Sequence, residues 1–104
     1  MEKYLSIVRE IVQKHIDPRE TTVFLFGSRA AGKASPHSDI DVGLYEKSPL
    51  SALVLSDIAE ELEESIVPYK VDVVDFSKVD DNFKKIALKD IEIWNQPDTA
   101  LPLQ

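Results

Sequence analysis

Hydrophobic positions in the first half of the chain change their period, and each period predicts a different element. Apolar residues recur at helical spacing through residues 2–16, which predicts an amphipathic helix that ends at Asp17-Pro18. Residues 22–26 are β-branched and aromatic and predict a buried strand. Residues 39–45 alternate and predict a second strand. The apolar face of that strand consists of Ile40, Val42 and Leu44.

The second half of the chain repeats this alternation of helix and strand. Ser48-Pro49 precedes a predicted helix that runs from about residue 50 to Pro68. Its predicted apolar side consists of Leu53, Ile58, Leu62 and Ile66. Further along the chain, the pattern predicts a strand over residues 70–76, a short helix over 80–89 and an edge strand over Ile91–Trp94. Residues 97–104 contain two prolines and predict a disordered tail.

This order of elements predicts an α+β or α/β fold, with a small mixed sheet and helices packed on one face. The chain has 104 residues, which fits a single domain. We expect that domain to cover residues 1–96. Residues 27–38, between the first two strands, contain glycine, proline and serine and predict a loop or a broken helical turn.

Composition and charge exclude several classes of function. The chain has no cysteine, so disulfides and thiolate metal sites are excluded. It shows neither a signal-peptide pattern nor an apolar run long enough to span a membrane, so we expect a cytoplasmic protein without a membrane partner. The net charge is −7 and no lysine or arginine cluster forms a basic face, which argues against direct binding of duplex nucleic acid.

Candidate chemistry is concentrated between Gly27 and Asp41. Gly27-Ser28 follows the first predicted strand, ten residues intervene, and Asp39 and Asp41 then occupy alternate positions. Carboxylates at i and i+2 of a strand point to the same side and together can bind a hard divalent cation such as Mg²⁺. A Gly-Ser turn lets phosphate groups approach the backbone closely. The run therefore predicts metal-assisted chemistry on a nucleoside triphosphate. The alternative is that both aspartates lie on the solvent face of an edge strand.

A third carboxylate is expected from the third predicted strand. Asp72 lies among valines, and a buried aspartate there requires a partner, a hydrogen bond or a metal ion. If the second and third strands are neighbours, Asp72 reaches the same metal ions or takes the proton of an attacking hydroxyl. Asp75 is the competing candidate, but it lies on the opposite strand face. Alternatively, Asp72 faces water on a half-exposed sheet.

Five residues of the loop region are candidate nucleotide ligands. Gly27 and Ser28 are expected to bind the triphosphate, although alone they also fit a plain strand-ending turn. Arg29 and Lys33 offer positive charge to phosphate groups, unless they are solvated loop residues. Ser38 either contacts phosphate or ribose or only shapes the turn into the strand.

Gly27-Ser28, the ten-residue spacing, Asp39-Ile40-Asp41 and the later Asp72 together resemble the DNA polymerase β-like nucleotidyltransferase superfamily. The size of the chain is similar to that of its minimal nucleotidyltransferase (MNT) branch. The resemblance covers residues 4–95 and implies a nucleotidyltransferase fold. It also implies attack of an acceptor hydroxyl on the α-phosphorus of ATP, with two Mg²⁺ ions bound by Asp39, Asp41 and Asp72. Gly27 and Ser28 then hold the β- and γ-phosphates.

The MNT resemblance also implies a partner. Members of this branch are paired with a helical HEPN toxin, which the MNT antitoxin can silence by transferring AMP to a tyrosine. The chain departs from many relatives at Ala31, where they carry arginine or lysine, and Lys33 is the candidate replacement for that charge. We expect a partner or a second copy to supply the acceptor site. The alternative functions are a non-catalytic antitoxin that acts by binding and a nucleotidyltransferase for small molecules of the aminoglycoside type.

Overall fold

Four helices and four strands alternate along residues 1–97, which are the residues that the computed structural model describes. In chain order they are α1 (Glu2–Lys14), β1 (Thr22–Phe26), α2 (Gly27–Ala30), β2 (Ile40–Tyr45), α3 (Ala52–Glu64), β3 (Val71–Asp75), α4 (Asp81–Ala87) and β4 (Glu92–Asn95). The strands form one mixed sheet in the order β3-β2-β1-β4. β1 pairs antiparallel with β2 and β4, whereas β2 and β3 are parallel.

The two long helices cover one face of this sheet. Val8 and Val12 of α1 and Ile58 of α3 are fully buried against the inward side chains of β1 and β2. The predicted apolar face of β2 is confirmed, because its three members belong to this core. Those members are Ile40, Val42 and Leu44.

The opposite face carries an aromatic cluster, and the short helix α4 packs there. Phe24, Phe26 and Phe76 form the buried part of this cluster, and Phe83 of α4 contacts Phe26 and Phe76. The prediction that the helices pack on one face of the sheet is therefore correct for α1 and α3 and wrong for α4. Successive residues of β1 point to opposite faces, so Phe24 and Phe26 present apolar surface on the side that α4 covers.

Element boundaries differ from the predicted ones by a few residues, with one consequence for the site. β2 begins at Ile40, so Asp39 lies one residue before the strand.

The predicted apolar side of α3 is wrong at Leu53 and Ile66, which are 71% and 66% exposed. Leu53 is not at helical spacing from the buried Ile58, and Ile66 lies beyond the end of α3.

The C-terminal boundary is only partly described. Pro97, the first residue of the predicted tail, is buried, and the rest of that tail lies outside the described residues. The predicted edge strand is confirmed as β4, whose Trp94 is buried and donates its Nε1–H to Glu92 at 2.9 Å. None of the helices within residues 1–97 combines the length and apolarity of a membrane-crossing segment.

Candidate active site

The turn from β1 into α2 brings the Gly-Ser pair against Asp41. Gly27 has a φ of 74°, in the left-handed region that favours glycine. A Cβ atom at Gly27 would overlap Asp41 Oδ2 and lie 3.1 Å from Asp41 Cγ. The Asp41 carboxylate therefore lies directly against the backbone of Gly27, at the place where a side chain of any other residue would be.

Asp41 and Asp72 are neighbours across the parallel pair β2–β3. They are direct partners in the register of the two strands, on the sheet face that carries the aromatic cluster. The condition stated for Asp72, that the second and third strands are neighbours, is therefore met. Asp72 is also 3.7 Å from Lys70 Nζ through its Oδ1. Asp39 precedes β2 and is exposed, so the strand ladder does not fix its orientation.

Asp72 and Asp39 are close enough to Asp41 to affect its pKa. Burial raises the pKa of Asp41 above its ordinary value, and the negative charges of Asp72 and then Asp39 raise it further. The positive charges of Lys70 and Arg29 oppose this shift in pKa and are weaker causes. Like charges held together in this way fit a bound cation, which would stabilise all three carboxylates in their ionised form.

The carboxylates of this site fit an Mg²⁺ ion that is coordinated partly by the protein and partly by a substrate. Within residues 1–97 no three histidine, cysteine or acidic side chains are grouped closely enough to hold a metal ion by themselves. Mg²⁺ commonly binds one or two protein carboxylates and completes its octahedron with phosphate oxygens and water. The adjacent pair Asp41 and Asp72 meets that requirement, with Asp39 within electrostatic reach.

Asp75, the competing candidate for the third acid, has a different environment. It is 7% exposed and accepts hydrogen bonds from the Ser77 backbone N–H at 3.0 Å and the Ser77 hydroxyl at 2.7 Å. Three positions separate it from Asp72, so it points to the other face of β3. Geometry therefore favours Asp72 over Asp75 as the partner of Asp41.

The remaining predicted ligands lie in three different environments. Arg29 donates from Nη2 to the Ser38 carbonyl, and its guanidinium carbon lies 4.9 Å from the centroid of the Tyr69 ring. The Ser38 hydroxyl accepts from the Ser35 backbone N–H at 2.8 Å, so this side chain shapes the turn before Asp39. Lys33 is exposed and lines a cavity together with Gly27 and Ser28.

That cavity, of about 390 Å³, was not anticipated from the sequence. It lies between α2 and α4, and its other lining residues are Phe26, Ala31, Phe83, Ile86, Ala87 and Asp90. The helical spacing of Phe83, Ile86 and Ala87 indicates that these residues lie on one face of α4. It does not indicate that this face lines a cavity.

Comparison with known proteins agrees with this geometry. The chain is 35% identical over 85 residues to the Probable protein adenylyltransferase MntA of Haemophilus influenzae, covering 82% of this chain and 73% of that protein. It superposes with a TM-score of 0.67 on a structure of a tri-AMPylated Shewanella oneidensis HEPN toxin in complex with MNT antitoxin. That match has 18% identity and covers 91% of this chain and 72% of the other.

A toxin–antitoxin crystal structure with AMP-PNP superposes with a TM-score of 0.70 and 20% identity, covering 89% of this chain and 73% of the other. These structural matches establish the same fold. The family model described as Polymerase beta, Nucleotidyltransferase matches residues 7–99, which include the Gly-Ser turn and all three aspartates. The chain therefore belongs to the polymerase beta nucleotidyltransferase family.

Proposed function

We propose that the protein is an Mg²⁺-dependent adenylyltransferase that transfers AMP from ATP to a hydroxyl group of a helical HEPN-type toxin and thereby acts as an antitoxin. The observation that carries this proposal is the contact of Gly27 with the Asp41 carboxylate, beside Asp72. It places a turn that phosphate groups can approach next to paired ligands for a hard cation.

In the proposed reaction the acceptor oxygen forms a bond to the α-phosphorus of ATP. The bond from that phosphorus to the β-phosphate oxygen breaks, and pyrophosphate leaves. Asp39, Asp41 and Asp72 would hold Mg²⁺, and the bound ion would supply positive charge to the phosphate oxygens. The Asp72 side chain is 41% exposed and takes the proton of the incoming hydroxyl.

The nucleotide occupies both sides of the Gly27 turn in this proposal. Gly27 and Ser28 hold the β- and γ-phosphates, and the exposed Lys33 contributes positive charge. The adenine ring enters the cavity between α2 and α4. That cavity has the volume of a small-molecule pocket, and Phe83 and Ile86 offer apolar surface to a flat ring.

The relatives support a protein acceptor. The Haemophilus protein is named for protein adenylyl transfer, and the Shewanella MNT antitoxin is bound to a tri-AMPylated HEPN toxin. For this chain we propose a tyrosine of the toxin as the acceptor, which is the residue that the family resemblance implies. In this proposal the partner supplies the surface around that tyrosine.

The test uses ATP labelled at the α-phosphate. The protein is incubated with this ATP, Mg²⁺ and a HEPN-type partner encoded beside it, and label on the partner is measured. We expect strong labelling that requires Mg²⁺ and is lost in Asp41→Asn/Asp72→Asn. The matched control is Asp57→Asn, which removes one carboxylate from the exposed side of α3.

Two outcomes separate the proposal from its alternative. Label on the partner with the wild type and Asp57→Asn, but not with the double variant, supports adenylyl transfer. A stable complex that silences the toxin equally well with the double variant and carries no label contradicts it. That result would assign neutralisation to binding alone.

A further inference from the structure

Arg29 joins the three segments that carry the candidate catalytic groups. It lies in α2, directly after the Gly-Ser turn. Its guanidinium donates to the carbonyl of Ser38, the residue before Asp39, and lies over the ring of Tyr69, three residues before Asp72. The Arg29 side chain, which lies beside the Gly-Ser turn, thus contacts both the segment before β2 and the segment before β3.

The guanidinium is held on more than one side. Arginine can stack its planar face on an aromatic ring and at the same time donate hydrogen bonds from its edge. Tyr69 in turn packs edge-on against Tyr4 of α1, with ring centroids 5.9 Å apart and an angle of 68°. Among the described residues, Arg29 Nε is buried and has no hydrogen-bond partner. The restraints on the guanidinium are therefore the hydrogen bond to the Ser38 carbonyl and the stacking on the Tyr69 ring.

Asp39 is the group that most needs such support. It precedes β2 and is exposed, and the next residue, Ile40, makes the first backbone bond to the neighbouring segment, from its N–H to the Lys70 carbonyl at 2.9 Å. The contact of Arg29 with Ser38 therefore restrains the backbone on the other side of Asp39.

We infer that Arg29 is a positioning residue that, with Tyr69, holds the segments before Asp39 and Asp72 in place. This inference rests on the proposed function for its catalytic consequence, and it replaces the expectation that Arg29 binds phosphate. A displacement of catalytic groups by about 1 Å can lower a rate by about 100-fold, so loss of this contact affects the chemical step.

Four variants test the inference, and steady-state AMP transfer is measured for each. Arg29→Lys keeps the positive charge and loses the planar guanidinium group, whereas Arg29→Met loses both. Tyr69→Leu removes the aromatic ring, and Tyr69→Phe is the matched control that keeps it. We expect kcat to fall about 10- to 100-fold in the first three variants, with KM for ATP changed less than about threefold. Tyr69→Phe is expected to retain wild-type kinetics.

A phosphate-binding role for Arg29 predicts a different pattern and would overturn the inference. KM for ATP would rise, Arg29→Lys would retain most activity, and Tyr69→Leu would have little effect. A purely structural role is distinguished by thermal unfolding, because it would lower Tm in proportion to the loss of kcat. Equal Tm values together with a lower kcat support positioning.

Amide hydrogen exchange provides a measurement that does not depend on activity. We expect faster exchange at residues 38–40 in Arg29→Lys and Tyr69→Leu, and wild-type exchange in Tyr69→Phe. Unchanged exchange in the first two variants contradicts the inference even if AMP transfer is observed. If the wild type transfers no AMP, the proposed function fails, and exchange still decides whether Arg29 holds this segment.

Discussion

At the scale of single residues, Gly27 meets two requirements at once. Its φ of 74° turns the chain from β1 into α2, and the missing Cβ leaves room for the Asp41 carboxylate. Glycine is therefore required at this position for two reasons: the local backbone turn and the packing of Asp41, which lies fourteen positions later in the sequence.

Gly27→Ala is expected to lower AMP transfer by about 100-fold, because the new methyl group displaces Asp41 from its position beside the turn. The left-handed backbone also costs a non-glycine residue about 1–3 kcal/mol in free energy of unfolding. Labelled AMP transfer and urea unfolding measure the two effects separately.

Gly32→Ala is the matched control for that variant. Gly32 has a nearly equal φ of 72°, and no atom lies within 4 Å of the Cβ that would be added. We expect a similar loss of stability with AMP transfer retained. An equal loss of activity in both alanine variants would attribute the effect to backbone strain and not to Asp41.

At the scale of elements, α1 and α3 are joined at their exposed edges by Glu61. Its carboxylate accepts hydrogen bonds from Lys14 and, at 2.7 Å, from His15 Nε2. These two bonds hold the pKa of Glu61 below its ordinary value. The two helices are thus linked by charge outside the core that they share.

Glu61→Gln is expected to reduce stability slightly at neutral pH. Because the pKa of Glu61 is lower in the folded than in the unfolded protein, its contribution is complete above the unfolded pKa of about 4.3 and is lost as pH falls through the folded value. Urea unfolding of wild type and variant should therefore differ at pH 7 and converge as pH falls through that lowered pKa. The control is Glu64→Gln, an equal change of charge on the same helix; a pH-dependent difference of the same size there would contradict the assignment.

At the scale of the whole molecule, the sheet separates two apolar layers of unequal size. Helices α1 and α3 cover the larger layer, and the aromatic cluster beneath α4 forms the smaller one. Phe76 lies at the centre of the smaller layer, with ring centroids 4.8 Å from Phe24, 5.1 Å from Phe26 and 5.7 Å from Phe83. The position of α4, and with it one wall of the cavity, depends on this cluster.

Phe76→Ala is expected to lower the free energy of unfolding by about 3–5 kcal/mol, because the side chain is 1% exposed and its removal leaves a cavity. That is a large share of the roughly 5–15 kcal/mol that stabilises a typical domain. Urea unfolding measures it. Leu53→Ala is the control, since Leu53 is 71% exposed and should change stability by less than about 0.5 kcal/mol. A small effect at Phe76 would show that the cluster is not a cooperative part of the core.

The local sequence pattern was sufficient to predict the order of the helices and strands and the candidate chemistry of residues 27–41. Period-2 alternation placed Ile40, Val42 and Leu44 in the core and, by the same geometry, Asp41 on the other face of β2. The spacing from Gly27-Ser28 to the two aspartates, with Asp72 in a later strand, was sufficient to identify the family. These features depend on backbone geometry within a few residues, which the order of residue types along the chain determines.

Contacts between distant segments were decided only by the tertiary structure. Strand order put Asp72 beside Asp41, the aromatic cluster placed α4 on the second face, and packing between α2 and α4 formed the cavity. The turn held Asp39 outside β2 and directed Arg29 toward Ser38 and Tyr69. Each of these depends on which surfaces are buried together, and side-chain periodicity specifies a face of an element without specifying what covers that face.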